Sequence, residues 1–283
     1  MAEEKSCSCD EERQKIKREI TLKANVALIK KKIIVLSGKG GVGKTTVSTN
    51  LATELAKRGY RVGLLDIDIH GPNIPNMLGL QGFCPLVTDL GIYPLKVFDN
   101  LYVISVGFFL EEKDTPIAWR GPLKHRLIEQ FLSDVQWGQL DYLVVDSPPG
   151  TGDEIISIIE LINKVDGAVI VATPQDVALA DVRRTIKFCK EYSIPILGIV
   201  ENMSGFICPH CGNNVEIFKT GGAEKLAEEY KIPFLGKIPI DPQIVQTGDE
   251  GKPIIVYFPE NKSAQIFSEI VKKIIESLNT END

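Results

Sequence analysis

Apolar and polar residues follow one another along this chain in blocks of two kinds. Short apolar runs such as Ile33–Leu36 and Val62–Leu65 are bounded by glycine or charged residues, which is typical of strands buried on both faces. Longer stretches such as Thr45–Arg58, which ends at Gly59, have the residue types and apolar spacing of helices. The remaining predicted strands are 92–98 and 101–106 (as a hairpin), 142–145, 168–172, 196–200 and 234–238, and the remaining predicted helices are 126–135, 154–163, 177–192, 223–230 and 262–278.

This alternation of strands and helices predicts an α/β fold, with a doubly wound, mostly parallel sheet flanked by helices. No repeat or linker rich in Pro, Gly and Ser divides the chain. We therefore expect one domain over residues 31–283, with an inserted Cys-x-x-Cys loop near 205–214. Residues 1–30 are expected to form a flexible tail that lacks structure before residue 13, carries a Cys-x-Cys motif and ends in a short helix.

A glycine-rich loop with two lysines follows the first strand and opens the first predicted helix of the domain. Glycines let backbone N–H groups wrap phosphate oxygens, while Lys44 would reach the β- and γ-phosphates and the Thr45 hydroxyl would hold Mg²⁺. The loop also fits the dinucleotide pattern Gly-x-Gly-x-x-Gly, but the Lys-Thr pair after the last glycine favours a P-loop. The predicted nucleotide-binding residues of this loop are Gly38, Lys39, Gly40, Gly41, Val42, Gly43, Lys44, Thr45 and Thr46.

Aspartates follow two of the predicted strands. Asp66 and Asp68 come after the second strand, and Asp146 ends the strand that precedes Pro-Pro-Gly-Thr-Gly. The carboxyl ends of parallel strands meet at one edge of a sheet, where ligands bind. We expect Asp68 to orient the attacking water or sense the γ-phosphate, Asp66 to support Mg²⁺ through water, and Asp146 to act as the Walker B carboxylate. The predicted magnesium site comprises Thr45, Asp66, Asp68 and Asp146. The Pro-Pro-Gly-Thr-Gly segment, residues 148–152, is expected to act as a switch that responds to the γ-phosphate.

Two segments are expected to contact the base of the nucleotide. Asn202 follows the strand 196–200, and the loop containing Pro239 and Asp241 follows the last strand. The residues 163–166 match the guanine-reading pattern Asn-Lys-x-Asp, but they precede a strand and would lie at the wrong edge of the sheet. We therefore predict adenine, and hence ATP, as the ligand.

Composition and charge indicate which partners and which cellular compartment to expect for this protein. A net charge of −6 and a pI of about 5.3 do not favour nucleic-acid binding, and no apolar run reaches the roughly 18 residues of a membrane span. The N-terminal segment does not resemble a secretory signal, so we expect a cytoplasmic protein. In a reducing compartment, paired cysteines more often bind metal than form structural disulfides.

Cys208 and Cys211 form a Cys-x-x-Cys pair, which can hold one metal between two thiolates. Two ligands are too few for a four-thiolate site, and the chain has no second Cys-x-x-Cys. A two-fold symmetric dimer would supply the second pair. The spacing alone leaves zinc and a [4Fe–4S] cluster open, with zinc slightly favoured. Among the other cysteines, Cys189 is expected in the core.

Taken together and in order, these motifs resemble the Mrp/ApbC family of iron–sulfur cluster carrier ATPases, within the MinD/ParA/nitrogenase-iron-protein class. The resemblance covers about residues 30–260. It rests on the deviant Walker A loop, Asp68-x-x-Gly-Pro, Trp119-Arg120-Gly121-Pro122, Asp146-x-Pro-Pro-Gly-Thr-Gly-Asp153, Asn202-Met203-Ser204 and Cys208-Pro-His-Cys211.

The resemblance implies a homodimer that binds ATP and Mg²⁺, hydrolyses ATP slowly, and carries a labile [4Fe–4S] cluster to apo iron–sulfur proteins. Cys208 and Cys211 of both subunits would bridge the cluster. Lys39 would reach the partner's nucleotide, so the expected catalytic residues are Lys39, Lys44 and Asp68. The eukaryotic members' N-terminal four-cysteine site is missing here. Only Cys7 and Cys9 remain, and they are candidates for an accessory role.

Two other functions share the nucleotide motifs. One is a ParA/MinD-like positioning switch with a structural zinc or no metal, which the acidic pI and the acidic C-terminus disfavour. The other is a biosynthetic ligase, which would need a substrate pocket. The last predicted helix has an apolar face from Phe267 to Leu278, and we expect this face to dock on the protein's own core rather than on a membrane.

Overall fold

The computed structural model describes the backbone of residues 2–110, 121–207 and 214–280, and the side chains of residues 13, 15–110, 121–206 and 215–280. Its strands are β1 Ile29–Ser37, β2 Val62–Asp66, β3 Leu86–Thr88, β4 Gly91–Tyr93, β5 Leu95–Phe98, β6 Leu101–Ser105, β7 Leu140–Asp146, β8 Gly167–Ala172, β9 Ile196–Ile207, β10 Asn214–Val215 and β11 Phe234–Ile240. Its helices are α1 Ala2–Ala27, α2 Lys44–Lys57, α3 Ile74–Met77, α4 Gly121–Ser133, α5 Asp153–Ile162, α6 Asp176–Glu191, α7 Gly222–Tyr230, α8 Pro242–Asp249, α9 Ile254–Tyr257 and α10 Lys262–Thr280.

The described strands build one large sheet in the order β10-β9-β8-β1-β7-β2-β6-β5, with β11 also paired to β9. Strands β1, β2, β6, β7, β8, β9 and β11 run parallel, whereas β5 and β10 are antiparallel to their neighbours. The predicted mostly parallel α/β fold is therefore confirmed. The hairpin of β5 and β6 is present as well, because Leu95 pairs with Val103 and Phe98 with Leu101.

The two faces of this sheet are buried in separate apolar layers. Along β1, Ile34 and Leu36 belong to one layer, and Ile33 and Val35 belong to the other. Successive side chains of a strand point to opposite faces, so both faces must be covered when all four residues are apolar. Helices α1, α4, α5, α6 and α7 supply the first layer, and α2, α9 and α10 supply the second.

The last helix docks on the protein's own core, as its apolar face predicts. Phe267, Ile270, Val271, Ile274 and Leu278 of α10 are all buried. They pack in the layer that also contains residues of α2 and β11. No helix in the described ranges has both the length and the apolar composition to cross a bilayer.

Some element bounds differ from the prediction. Helix α1 runs from Ala2 to Ala27, so it is longer than the short helix expected and includes residues that we expected to lack structure. Strand β9 runs on to Ile207, and Pro239 lies within β11 rather than in the loop after it. The predicted strand 92–98 is divided into β4 and β5, and the short elements α3, α8, α9 and β3 have no counterpart in the prediction.

Candidate nucleotide-binding site

The glycine-rich loop connects the C-terminal end of β1 to the first residue of α2. Gly41 and Gly43 have φ angles of 76° and 82°, in the left-handed region that favours glycine. Gly43 is the N-cap of α2 and provides no side chain to cap the helix, so the first N–H groups of α2 remain available to an anion. The backbone therefore forms the phosphate cradle that the motif predicts.

Asp146 is the centre of a buried hydrogen-bond network at the mouth of this loop. Its Oδ1 lies 2.8 Å from Lys44 Nζ and accepts a hydrogen bond of 2.6 Å from Ser48 Oγ. Its Oδ2 accepts a hydrogen bond of 2.8 Å from Thr45 Oγ1. Asp146 is fully buried, and Lys44 is almost so. The network brings together three of the predicted residues, namely Lys44, Thr45 and Asp146.

Ser48 is a member of this network that the sequence analysis missed. It also donates to the backbone carbonyl of Lys44 at 3.0 Å. Residues three and four apart share one face of a helix, so Ser48 lies on the same face of α2 as Lys44 and Thr45. That spacing was the signal by which Ser48 could have been found.

Asp68 lies at the edge of the same site, as predicted. Its Oδ2 is 3.7 Å from Lys44 Nζ, and it lines the cavity above the loop. Burial raises the pKa of the Asp68 carboxyl, and the positive charge of Lys44 partly opposes that rise. A carboxylate with a raised pKa beside the phosphate site is suited to orient water or to exchange a proton with it.

Asp66 is not among the residues that line the cavity, and its support of Mg²⁺ through water stays a prediction. It is fully buried, accepts a hydrogen bond of 2.7 Å from Ser105 Oγ, and accepts another of 3.0 Å from the backbone N–H of Asp68. Burial, followed by the charge of nearby Asp146, raises the pKa of Asp66 to about 8. The hydrogen bond from the backbone N–H of Asp68 shows that Asp66 holds the turn that presents Asp68.

The cavity above the loop has a volume of about 480 Å³, within the range of small-molecule sites. It extends from the phosphate cradle to helices α3 and α8, which the sequence analysis did not include. Besides the loop residues 39–46, its lining comprises Ser37, Asp68, Gly71, Asn73, Asn76, Met77, Pro149, Ile244, Val245, Gly248 and Asp249.

Three residues were predicted to contact the base, and none of them lines this cavity: Asn202, Pro239 and Asp241. Asn202 donates from Nδ2 to the backbone carbonyl of Val42 at 2.8 Å, so it stabilises the glycine-rich loop. Asp241 is the N-cap of α8 and accepts from the N–H of Gln243 at 2.9 Å and from Ser263 Oγ at 2.7 Å. The side chains that α8 contributes to the cavity lining are apolar Ile244 and Val245, together with acidic Asp249, and the apolar pair suits the flat face of a base.

Lys39 lines the cavity and is half-buried. Among the described residues, no ion pair or hydrogen bond involves its side chain. An ammonium group beside a phosphate site with no carboxylate partner is available to another ligand. This is the property that the predicted role in trans requires.

A smaller polar cleft adjoins the nucleotide cavity and shares Asp68, Gly71 and Pro149 with it. In this cleft, Lys124 Nζ lies 2.6 Å from Glu154 Oε1 and 3.0 Å from His70 Nε2. The His70 side chain is exposed. Residues 163–166 lie at the opposite edge of the sheet, where Asp166 accepts from the N–H of Lys32 at 2.8 Å.

Cys208 and Cys211 lie outside the described residues. The chain on either side of them is described, and there β9 and β10 pair as antiparallel strands, with Val215 opposite Phe206. Cys7 and Cys9 lie within α1, in the part whose side chains are not described. Cys189 is fully buried in the core, as predicted, and Cys84 is exposed.

The fold and the loop together define a P-loop nucleotide-binding protein of the MinD and ParA kind. The chain belongs to the ParA-type family of NUBPL iron-transfer P-loop NTPases, whose model matches residues 28–275. The family resemblance drawn from the motifs is thereby confirmed.

Individual relatives agree with this assignment. The chain is 48% identical to an iron–sulfur cluster carrier protein of Methanocaldococcus jannaschii, over 91% of this chain and 88% of that protein. It is 46% identical to the cytosolic Fe–S cluster assembly factor NUBP2 of Rattus norvegicus, over 90% of this chain and 95% of that protein. A solved structure of a nucleotide-binding protein from Archaeoglobus fulgidus, in complex with ADP, matches with a TM-score of 0.73 and 40% identity, covering 83% and 92% of the two chains.

Proposed function

We propose that this protein is a cytoplasmic ATPase that carries iron–sulfur clusters. Two copies of the chain would hold a labile [4Fe–4S] cluster between them through Cys208 and Cys211, and transfer it to apo iron–sulfur proteins. The observation that carries the proposal is the complete P-loop network around Asp146 in the same chain as a Cys-x-x-Cys pair. The names of the two relatives support the cargo.

The oxygen donors of the site fit a magnesium ion. Mg²⁺ prefers hard oxygen ligands, and the Thr45 hydroxyl and the Asp146 carboxylate lie 2.8 Å apart at the mouth of the phosphate cradle. Thr45 would hold the ion directly and Asp146 would hold it from the strand end. When bound, Mg²⁺ would neutralise phosphate charge and orient the β- and γ-phosphates.

The protein's own groups then account for slow hydrolysis. The N–H groups at the start of α2 bind phosphate oxygens, and Lys44 exchanges part of its contact with Asp146 for the β- and γ-phosphates. Asp68 orients the attacking water from the sheet edge. Lys39 of a second copy would offset the charge that develops in the transition state, as an arginine finger does.

A transfer assay tests this function. Protein reconstituted anaerobically with iron and sulfide is mixed with an apo-enzyme that needs a [4Fe–4S] cluster, and the recovered activity of that enzyme is measured. The wild type should restore activity, whereas Cys208→Ser and Cys211→Ser should not, although both variants still bind ATP. An ATPase that takes up no iron would instead favour the positioning-switch alternative, and ATP-dependent pelleting with liposomes or DNA would support it.

The choice of ATP over GTP needs a separate test. Binding of both nucleotides is measured by titration calorimetry on the wild-type protein with Mg²⁺ present. We expect ATP to bind at least about tenfold more tightly, which corresponds to roughly 1.4 kcal/mol. Equal affinities would contradict the adenine assignment.

A further inference from the structure

Glu201 is a fully buried carboxylate in the middle of β9. In the described part of the chain it forms no ion pair with lysine or arginine. Three hydrogen-bond donors surround it instead: Ser204 Oγ at 2.5 Å and the backbone N–H groups of Gly221 at 2.8 Å and Ala223 at 2.7 Å. The two N–H groups belong to the start of α7, where the helix dipole also favours a negative charge.

These donors lie on both sides of the segment that carries the cysteine pair. Ser204 precedes residues 205–220, and Gly221 follows them. Glu201 therefore ties the two ends of this segment to one point on the sheet. A buried carboxylate is costly to leave unsatisfied, so the protein is expected to keep these three hydrogen bonds together.

The next residue, Asn202, connects the same point to the nucleotide loop. Its Nδ2 donates to the carbonyl of Val42, and a Cβ added at Gly43 would lie 2.2 Å from that nitrogen, so the loop and the amide are in tight contact. Consecutive residues of a strand point in opposite directions, which is why Glu201 and Asn202 reach different partners.

The backbone after this pair is held in an unusual conformation. Met203 has a φ of 56°, which is rare for a residue other than glycine. Such a conformation persists where the contacts around it determine it. Here the contacts of Glu201, Asn202 and Ser204 do so. A shift of Val42 on nucleotide binding would therefore reach the start of the cysteine segment through one short piece of strand.

We propose that Glu201 is a positioning residue that fixes the cysteine segment relative to the P-loop, so that the bound nucleotide changes how firmly Cys208 and Cys211 hold their cargo. This inference rests on the proposed carrier function for the nature of the cargo. The anchoring itself rests on hydrogen bonds between described residues.

The test variant is Glu201→Gln. It has the same shape, but its NH₂ group replaces one of the two oxygens that accept from the backbone or from Ser204. The matched control is Glu224→Gln, which removes the same charge from the same region. Glu224 lies on α7 and is part-exposed, where its carboxylate pairs with Lys237 at 2.7 Å. Ser204→Ala, which removes one donor, serves as a second test variant if Glu201→Gln does not fold.

The first measurement is hydrogen exchange on metal-free protein. In Glu201→Gln, the amides of Gly221 and Ala223 should exchange roughly tenfold faster or more, since hydrogen bonds to a charged acceptor are lost. Glu224→Gln should exchange as the wild type does. In the wild type, ATP should change the exchange of residues 214–223, and in Glu201→Gln it should not. Unchanged exchange in Glu201→Gln would overturn the inference.

The second measurement is the rate of iron loss to a chelator from anaerobically reconstituted protein, without nucleotide, with ADP, and with ATP and Mg²⁺. The wild-type rate should depend on the nucleotide. Glu201→Gln should lose iron about tenfold faster and with no such dependence, while its Kd for ATP stays within about threefold of the wild type. Nucleotide-dependent iron loss in Glu201→Gln, or a parallel loss of ATP affinity and Tm, would overturn the inference.

The two measurements separate failure of this inference from failure of the carrier function. A wild type that takes up no cluster contradicts the carrier function, and the exchange experiment on metal-free protein then decides the anchoring role alone. A wild type that loads normally while Glu201→Gln matches it in both measurements contradicts only the role of Glu201. Ser204→Ala should shift both quantities in the same direction by a smaller factor, and no shift in it would count against the anchor.

Discussion

At the scale of single residues, the nucleotide site is organised around one buried carboxylate. Asp146 contacts Lys44, Thr45 and Ser48 at 2.6 to 2.8 Å. A buried charge of this kind is tolerated because an opposite charge and hydroxyl donors surround it. Without nucleotide, Lys44 neutralises Asp146. With nucleotide, the phosphates would become a second acceptor for the same ammonium group.

Replacing Asp146 separates its metal role from phosphate binding. In Asp146→Asn, Lys44 and the α2 N-terminus remain, so ADP binding without Mg²⁺ should stay within about threefold of the wild type. The gain in affinity that Mg²⁺ provides should fall by roughly 10- to 100-fold. Calorimetry with and without Mg²⁺ measures both. Asp153→Asn removes an exposed carboxylate from the start of α5 and should leave both values unchanged; an equal loss in Asp153→Asn would contradict the role given to Asp146.

Lys39 offers a test of catalysis across two subunits. Since no described residue pairs with its side chain, Lys39→Ala should keep ATP affinity within about threefold but lower hydrolysis by about 10³-fold. Lys44→Ala should fail to bind nucleotide. When the two inactive variants are mixed, the Lys44→Ala copy can donate Lys39 to the nucleotide of the Lys39→Ala copy.

This mixture should recover up to roughly a quarter of the wild-type rate, because half of the random dimers are mixed and each has one functional site. Steady-state phosphate release measures the recovery. The control is Lys39→Ala alone at the same total protein concentration, and it should stay inactive. If the mixed sample also stays inactive, Lys39 does not act across the dimer.

The two single cysteines should differ sharply in reactivity. Burial raises the pKa of the Cys189 thiol to about 12, and the thiolate is the reactive form. Its reactive fraction therefore stays small as pH rises through 8 and would grow only toward pH 12. Cys84 is exposed. Iodoacetamide at pH 8 should label Cys84 in the folded protein and leave Cys189 unlabelled until a denaturant is added, as peptide mass spectrometry would show. Labelling of Cys189 in the native protein would show that this part of the core is open.

At the scale of elements, α10 completes the core on one face of the sheet. Phe267 is among the largest fully buried side chains, and it packs in the layer shared with α2 and β11. Phe267→Ala should lower the free energy of unfolding by about 3–5 kcal/mol, since it removes buried apolar surface and leaves a cavity. Glu269→Ala on the exposed side of the same helix should change it by less than about 0.5 kcal/mol. Urea denaturation compares the two, and equal effects would mean that α10 is not docked as described.

The central strands could be predicted because their sequences are compatible only with burial on both faces of a sheet. Runs such as Ile33–Leu36 are apolar at every position, so they must be buried on both faces, and that condition leads directly to a parallel sheet between helices. Helix α8 was not predicted, although Asp241 and Pro242 form the N-cap and first-turn proline pair that begins a helix. The expectation of a loop there concealed that signal.

Most of the site could be predicted because the motif places Lys44 and Thr45 on consecutive positions and Asp146 at a strand end. The hydrogen-bond partners of Asn202 and Asp241 could not, because the direction of a side chain depends on contacts that spacing does not encode. Asn202 turns to the Val42 carbonyl, and Asp241 to the backbone of α8. The complete burial of Asp66 and its hydrogen bond with Ser105 could not be read from spacing for the same reason.

At the scale of the whole molecule, the nucleotide site and the cysteine pair would each need a second copy of the chain to be complete. The P-loop network is assembled within one copy, whereas Lys39 lacks a partner in the described structure and the Cys-x-x-Cys pair provides two thiolates. A second copy related by two-fold symmetry would supply both the partner nucleotide for Lys39 and the second pair of thiolates. ATP hydrolysis and cluster binding would then both require the same dimer.

The most direct test is the iron content and mass of the protein after anaerobic reconstitution. Native mass spectrometry, with parallel iron and sulfide assays, should find a dimer with about four iron and four sulfide ions, or two of each per chain. Cys208→Ala should lose the cluster and keep ATP binding. A wild-type protein that stays monomeric in every nucleotide state, or that holds zinc which iron does not displace, would contradict the central claim.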